Sequence, residues 1–325
     1  MNSSISSFRR KLLLHLGLLA LFLLAFPPLT SYWLRQKYGP GTGEQIDQAF
    51  QRVQSSPAFD SLALGNSRIY RGLNPELWGN SYNFAHDGDS WNQVYYKLLF
   101  LQQAGKLPRQ LVLGLDYFSF SQLDSSRIEF YQKVFPPAFS QDFWQAPPPQ
   151  RWGESLNLAG NAWMDRHFFQ VFPLLFQPGE TVQRTLSASG QYRIQADPKR
   201  PYLRSAYNPV RRDSRRLPVL VDYFRRTLAL ARQQHIPVTL VMPPCNLFER
   251  QAYTEPMRAD FWEFVRAEKG DARVISFEAD EHFNLRDYQD FTHLKVEAAD
   301  RFSALLWARM AESDSRPADV SPPAR

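Results

Sequence analysis

The stretch SLALGNSRIY, residues 61–70, decides the fold because a short apolar run in it ends in a glycine and a polar turn. The run predicts a buried strand, and the polar turn marks the point where the chain leaves that strand. Two interpretations of Ser67 are open at this stage. Either Asn66 and Ser67 simply cap the next helix, or Ser67 is a nucleophile at the carboxyl end of the strand.

Strands and helices alternate on both sides of this stretch, which predicts βαβ units. The fold class is therefore α/β, a three-layer sandwich around a mostly parallel central sheet. In such sheets the functional site lies at the carboxyl ends of the strands, where Ser67 stands. The predicted strands are 61–65, 81–85, 110–116, 236–244 and 272–279, and the predicted helices are 90–105, 217–235, 257–268 and 295–312.

The alternation stops between about 121 and 215, where proline-rich segments interrupt the chain. We expect this part to be an insertion that shapes the surface over one end of the sheet, with a small hairpin at 180–194. A short helix over 41–53 would lead into the main domain, residues 38–312. The remaining tail, 313–325, has a composition typical of disorder.

The amino terminus predicts one transmembrane helix, because residues 12–34 are largely apolar and about 20 such residues span a bilayer. The basic residues 9–11 precede this stretch and predict a cytoplasmic amino terminus, so that residues 1–37 form the cytoplasmic end and the anchor. A cleaved signal peptide is the competing interpretation, although no small-residue cleavage site stands out near Phe26. Either interpretation exports the main domain.

Composition limits the possible partners. A chain of 325 residues with 44% hydrophobic content can bury one large core, and its net charge of +6 is scattered. The one concentration of arginine, at 200–216, fits a solvated loop or a contact with an anionic polymer or lipid surface. No basic helix suggests nucleic-acid binding. The single Cys245 excludes an internal disulfide, and no metal-ligand spacing or phosphate loop predicts a metal or cofactor.

A serine hydroxyl becomes an effective nucleophile only when a base removes its proton, and the base is normally an imidazole that a carboxylate orients. Asp290 stands three residues before His293, in a loop just ahead of the last predicted helix. A short turn there would let the carboxylate bond one ring nitrogen. The other nitrogen would face Ser67 across the strand ends.

With Ser67 in LGNSR and Asp290 and His293 in DFTH, the chain resembles the SGNH/GDSL hydrolase superfamily. It is most similar to the exported, membrane-anchored branch with the D-alanyl-lipoteichoic acid transfer protein and the alginate O-acetylation proteins. The resemblance covers residues 60–118 and 217–312. It implies a Ser-His-Asp triad, with the backbone amides of Ser67 and Gly88 as oxyanion donors.

Two departures from the family pattern concern the oxyanion site. The usual G-D-S reads G-N-S here, and the asparagine of the third block is absent because the matching stretch, LGLDYFSF, has Asp116. Removing such a donor costs about 100-fold in rate. Asn246, after a later strand, is a candidate replacement. Asp116 is either a substrate-binding residue or the cap of a turn.

A literal G-D-S occurs at residues 88–90, which makes Ser90 a competing nucleophile. Ser90 begins a predicted helix, where an amino-terminal cap explains it without any chemistry.

The resemblance implies a membrane-anchored serine esterase or O-acyltransferase that moves an acetyl or similar group on a cell-envelope polysaccharide or glycolipid. It would reside in a bacterial inner membrane, with the main domain in the periplasm and a multi-pass membrane O-acyltransferase as partner. The alternative is an inactive scaffold or polysaccharide-binding subunit. The absent asparagine favours that alternative, whereas Ser67 and the D-x-x-H pair oppose it.

Overall fold

The structure is a computed structural model that describes residues 42–121, 123, 128–144, 183–195 and 215–313, with 11–18 and scattered residues between 21 and 32. Much of the predicted membrane span, the rest of the insertion and the predicted disordered tail lie outside the described residues. Among the residues that are described, no helix has both the length and the apolar character needed to cross a membrane. The described residues from 42 onward belong to the larger of two compact units.

The larger unit contains a five-stranded sheet in which every neighbouring pair is parallel. This arrangement confirms the predicted α/β class with a parallel central sheet. A separate antiparallel pair, β4 and β5, forms a hairpin. The sheet order is β2-β1-β3-β6-β7, and the strands are β1 (Ser61–Leu64), β2 (Ser81–Asn83), β3 (Gln110–Gly114), β4 (Gln183–Leu186), β5 (Tyr192–Gln195), β6 (Val238–Met242) and β7 (Arg273–Ser276).

Helices follow the strands as the alternation predicts, and the described part also contains a helix at 247–252 that the sequence pattern did not indicate. The α-helices are α1 (Thr42–Ser55), α2 (Ser67–Gly72), α3 (Trp91–Gln103), α4 (Ile128–Tyr131), α5 (Ala138–Trp144), α6 (Pro218–Gln233), α7 (Leu247–Ala252), α8 (Glu255–Glu268) and α9 (Val296–Ser313). Two 3₁₀ helices span Pro75–Trp78 and Leu285–Asp287.

The central strands are largely apolar because both faces of the sheet are buried. Side chains alternate between the faces of a strand, so Leu62 and Leu64 of β1 pack with α1, α3, α6 and α8 in one core. Ala63 points to the opposite face, where it shares a second core with Ile69 of α2 and Phe302 of α9. The same alternation on β3 and β6 produces the three layers.

The strand order reverses direction between β1 and β3, and this reversal decides where a ligand can bind. From β1 the chain passes to β2 on one side, and then to β3, β6 and β7 on the other. A crevice opens at such a switch point beyond the carboxyl ends of the strands. Here these ends carry Gly65 and Gly114, which approach so closely that a Cβ added to Gly65 would lie 3.3 Å from Cα of Gly114.

The predicted hairpin at 180–194 is confirmed, with strands at 183–186 and 192–195. Its turn packs against the edge of the sheet, where the Asn83 N–H donates to the Ser189 carbonyl at 2.8 Å. Gly190 has a positive φ of 87°, and an added Cβ would collide with the Asn83 carbonyl oxygen. A glycine is therefore required where the hairpin meets β2.

The close approach of β1 and β3 predicts that Gly114→Ala destabilises the protein. The new methyl would lie 2.4 Å from Cγ1 of Ile69, a fully buried side chain. Overpacking of this kind costs about 1–3 kcal/mol, which urea unfolding followed by tryptophan fluorescence would measure. Gly72→Ala is the matched control, because its nearest neighbours would be 4.0 Å away. Equal stability of the two variants would contradict the prediction.

Candidate active site

The turn between β1 and α2 presents Ser67 at the first position of the helix. Gly65 has a φ of 149°, which a residue with a side chain would rarely adopt, and Asn66 is the N-cap. The side-chain oxygen of Asn66 accepts the N–H of Arg68 at 3.0 Å. The capping interpretation is therefore correct for Asn66. Ser67, one residue further on, leaves its hydroxyl for another partner.

That partner is His293, whose Nε2 lies 2.9 Å from Oγ of Ser67. The Nδ1 atom of the same ring lies 2.8 Å from Oδ2 of Asp290 and 2.9 Å from its Oδ1. A carboxylate only accepts hydrogen bonds, so Nδ1 carries the ring proton and Nε2 is free to accept the Ser67 proton. The structure thus brings together the three residues in which the sequence predicts a triad.

A closed loop between β7 and α9 holds the imidazole in place. Tyr288 and Leu294 form an isolated antiparallel bridge across the loop. Within it, Oδ1 of Asp290 accepts the backbone N–H groups of Thr292 and His293, each at 2.9 Å. The carboxylate therefore fixes both the loop backbone and the ring that the loop carries.

Electrostatics set complementary protonation states on this pair. Burial lowers the pKa of His293 below its usual value of 6.5, and the positive charge of Arg71 lowers it further. Asp290 and Asp87 raise this pKa, but the lowering effects are larger. Burial alone would raise the pKa of Asp290, but hydrogen bonds from the imidazole and from two backbone amides lower it to about 2. At neutral pH the carboxylate is charged and the imidazole is neutral, as a general base must be.

A cavity of about 230 Å³ opens beside Ser67 and His293. Arg71 and Asp87 lie in its polar wall, where the guanidinium donates to the carboxylate through Nε at 2.9 Å and through Nη2 at 2.5 Å. The apolar part of the lining comes from Trp91, Val94 and Phe118. A small substrate would therefore meet both a charged and an apolar surface next to the serine.

Gly88 lines the same cavity from the loop after β2, as the resemblance implied. Its φ of 76° belongs to the left-handed region that favours glycine. In the part of the chain that the structure describes, neither the N–H of Gly88 nor that of Ser67 donates to a backbone carbonyl. Both amides are therefore available to an oxyanion.

Asp116 does not reach the cavity, so the structure does not support its prediction as a substrate-binding residue. It is fully buried, and its carboxylate accepts hydrogen bonds from Arg68 at 2.5 Å and from the Asn66 amide at 2.6 Å. Arg68 also donates to Glu249 at 2.8 Å and to the Pro244 carbonyl at 2.6 Å. The carboxylate is thus used to hold the residues on either side of Ser67.

Asn246 is likewise placed away from the cavity, and its prediction as an oxyanion donor needs correction. Its side-chain oxygen caps α7 by accepting the Glu249 N–H at 2.9 Å. Its amide nitrogen donates to the Phe291 carbonyl, in the loop that carries Asp290 and His293. Asn246 therefore supports the loop that holds the base.

Ser90 is the N-cap of α3, as predicted. Its backbone N–H donates to Oε1 of Gln93 at 3.0 Å, and its hydroxyl donates to the same oxygen at 2.7 Å. Although Ser90 lines the cavity, no histidine forms a hydrogen bond to it among the described residues. The geometry accordingly distinguishes it from Ser67.

The sequence did not reveal the buried ion cluster around Arg68 or the ion pair between Arg71 and Asp87 in the cavity wall. Arg68 could have been suspected, since an arginine directly after a predicted nucleophile, between a buried strand and an apolar helix, needs buried acceptors. No sequence signal pairs Arg71 with Asp87 or Arg68 with Glu249, because those contacts depend on how distant segments meet. Within the described residues, no group of three or more His, Cys, Asp and Glu side chains could hold a metal ion.

Neither a protein-family model nor a curated protein matches the sequence. Among solved structures, the chain is similar to a GDSL-like lipase from Bacteroides thetaiotaomicron, with 12% identity and a TM-score of 0.38 over 84% of this chain and 100% of the lipase chain. It is also similar to a protein from Bacteroides fragilis provisionally named an acylhydrolase, with 11% identity and a TM-score of 0.39 over 82% of this chain and 96% of that one.

The buried ion cluster predicts that Arg68→Ala is strongly destabilising. The substitution would leave the carboxylates of Asp116 and Glu249 buried without their cation, which costs about 3–5 kcal/mol. Arg109→Ala removes the same charge from an exposed pair with Asp60 and should cause no measurable loss. Urea unfolding of both variants tests the prediction, and similar midpoints would contradict it.

Proposed function

We propose that the chain is a serine-dependent ester hydrolase or O-acyltransferase of the SGNH type. The observation that carries the proposal is the continuous hydrogen-bonded path from Oγ of Ser67, through the His293 imidazole, to the Asp290 carboxylate. An activated serine needs a base within hydrogen-bond reach and a third group that orients the base. The path meets both conditions beside an open cavity at the switch point of the sheet.

The mechanism follows from these contacts. The Ser67 hydroxyl attacks the carbonyl carbon of an ester while its proton passes to Nε2 of His293. The backbone amides of Ser67 and Gly88 stabilise the oxyanion that forms. The ester C–O bond then breaks, and the imidazolium returns the proton to the leaving alcohol, so that an acyl-serine remains. A water molecule or a glycan hydroxyl, deprotonated by His293, takes up the acyl group and completes hydrolysis or transfer.

The proposed substrate is an acetyl or similar ester of a cell-envelope polysaccharide or glycolipid. Support comes from the apolar residues 12–34, which would tether the domain to a bacterial inner membrane with the catalytic part on the periplasmic side. In that setting a multi-pass membrane O-acyltransferase is the proposed partner that would supply or receive the acyl group.

A second candidate function is an inactive scaffold or polysaccharide-binding subunit that keeps this fold. The observation in its favour is the engagement of Asp116 in a buried ion pair, since a carboxylate held in this way cannot donate to an oxyanion. An activity assay separates the two candidates, because a scaffold needs no reactive serine.

Ser67→Ala and His293→Ala should abolish turnover of p-nitrophenyl acetate, which a continuous spectrophotometric assay measures. The first substitution removes the nucleophile and the second removes the base, and each loss should reduce kcat by several orders of magnitude. Ser90→Ala is the control, and its loss of a helix cap should cost about 1 kcal/mol of stability while turnover persists. Activity that disappears only in Ser90→Ala would show that Ser90, and not Ser67, is the nucleophile. A wild type that is folded but inactive would favour the scaffold.

The pH dependence of kcat/KM provides a second test. Only neutral His293 can accept the Ser67 proton, so activity should fall as pH decreases through the His293 pKa, which burial places below 6.5. Arg71→Gln removes a charge that lowers this pKa and should therefore move the midpoint of the profile to higher pH. The assay would run between pH 5 and 8. A wild-type midpoint above 7, or a midpoint that Arg71→Gln moves downward, would contradict the proposed role of His293.

A further inference from the structure

The proposed reaction develops negative charge on the substrate oxygen, and the described site so far offers two backbone amides to that charge. The family pattern supplies a third donor from an asparagine, for which this chain has Asp116. The carboxylate of Asp116 is bonded to Arg68 and Asn66 and does not line the cavity. The segment after β3 contains another side chain that lines the cavity and can donate a hydrogen bond.

Ser119 lies in the turn that follows β3 and lines the cavity together with Ser67, Gly88 and His293. Two hydrogen bonds fix it in this turn. The Asp116 N–H donates to Oγ of Ser119 at 2.8 Å, and the Ser119 N–H donates to the Asp116 carbonyl at 2.9 Å. The position of the hydroxyl oxygen is therefore set by the backbone of Asp116.

The hydroxyl proton of Ser119 remains available. A serine hydroxyl has two lone pairs and one proton to donate, and the Asp116 amide uses a lone pair. Among the residues that the structure describes, none accepts the proton. Since Ser119 is half-buried at the cavity wall, the proton can be donated to a molecule bound in the cavity.

The turn is also linked to the nucleophile. The Asp116 side chain accepts from Asn66 at 2.6 Å and from Arg68 at 2.5 Å, the residues that flank Ser67. The same residue therefore positions the Ser119 hydroxyl through its backbone and the nucleophile turn through its carboxylate. Donors that are held in place before the reaction need little reorganisation when charge develops, which is the main source of oxyanion stabilisation.

We infer that Ser119 donates its hydroxyl proton in a hydrogen bond to the oxyanion formed when Ser67 attacks the substrate, in place of the absent asparagine. The inference rests on the proposed function and deepens it. Ser119 is then a catalytic residue, while Asp116 and Arg68 are positioning residues that hold it in register with Ser67.

The test measures kcat and KM for p-nitrophenyl acetate with the full-length chain. Ser119→Ala should lower kcat by about 100-fold with little change in KM, because the lost bond forms only in the transition state. Ser119→Thr keeps the hydroxyl and should restore most of the rate. Ser121→Ala is the matched control from the same turn, since its hydroxyl donates to the Phe118 carbonyl at 3.3 Å and does not line the cavity. It should behave like the wild type.

A second measurement separates this role from a structural one. An alkyl boronic acid adds to a catalytic serine and forms a tetrahedral adduct that resembles the reaction intermediate. If Ser119 binds the oxyanion, Ser119→Ala should raise the inhibition constant of the boronic acid by about the same factor by which kcat/KM falls. A hydroxyl that only stabilises the turn would instead lower the Tm and raise KM, without that proportionality.

Wild-type kcat in Ser119→Ala would overturn the inference, and so would a loss that Ser119→Thr does not restore. Failure of the proposed function is recognisable separately. In that case the wild type neither turns over the ester nor binds the boronic acid, and both proposals fall together. An active wild type with an unimpaired Ser119→Ala rejects the role of Ser119 alone.

Discussion

The buried ion pair between Arg68 and Asp116 is the interaction on which the site depends. Arg68 directly follows Ser67 in the first turn of α2, and Asp116 lies two residues beyond the end of β3, so the pair ties the segments after β1 and β3 together at the switch point of the sheet. Both side chains are almost completely buried. A buried pair of this kind adds little net stability over apolar packing, but losing one partner is costly. Its contribution is geometric, because it fixes the nucleophile turn relative to the segment after β3.

The polar groups of the site separate into an inner and an outer set. The inner set consists of Arg68, Asp116 and Glu249; Arg68 donates to both carboxylates, and none of the three lines the cavity. The outer set faces the cavity and includes Ser67 and His293. An asparagine at position 116 would have changed this division, since it could donate but could not pair with Arg68 as an anion. The anion at position 116 is therefore matched to the arginine beside the nucleophile.

Much of the fold was predictable because it depends on local patterns. The apolar runs gave the five sheet strands to within a few residues, since strands buried on both faces cannot alternate with polar residues. The spacing of Asp290 and His293 in a loop before the last helix was also sufficient to suggest a pair, and the pair forms. The hairpin predicted at 180–194 also forms, with strands at 183–186 and 192–195.

The side-chain contacts that support the site join segments that are distant in the sequence. Such contacts cannot be recognised from one sequence. Asp116 was a candidate substrate-binding residue because it stands at the predicted end of a strand. The sequence did not show that Arg68 is buried against its carboxylate. Asn246 looked like a free amide because its hydrogen bond to the Phe291 carbonyl joins residues 45 positions apart. The carboxylate that pairs with Arg71 could not be identified either, since Arg71 lies in α2 and Asp87 in the loop after β2, and their pairing depends on how these two segments meet.

The most direct test of the central claim is to find which serine a fluorophosphonate probe labels. Trypsin would separate the two candidates, because Ser67 lies in the peptide from Val53 to Arg68 and Ser90 in the peptide from Gly72 to Lys97. Tandem mass spectrometry of the labelled chain then locates the adduct. Our account predicts a single adduct on Ser67 that disappears when His293 is replaced by alanine. An adduct on Ser90, or a folded chain with none, would contradict it.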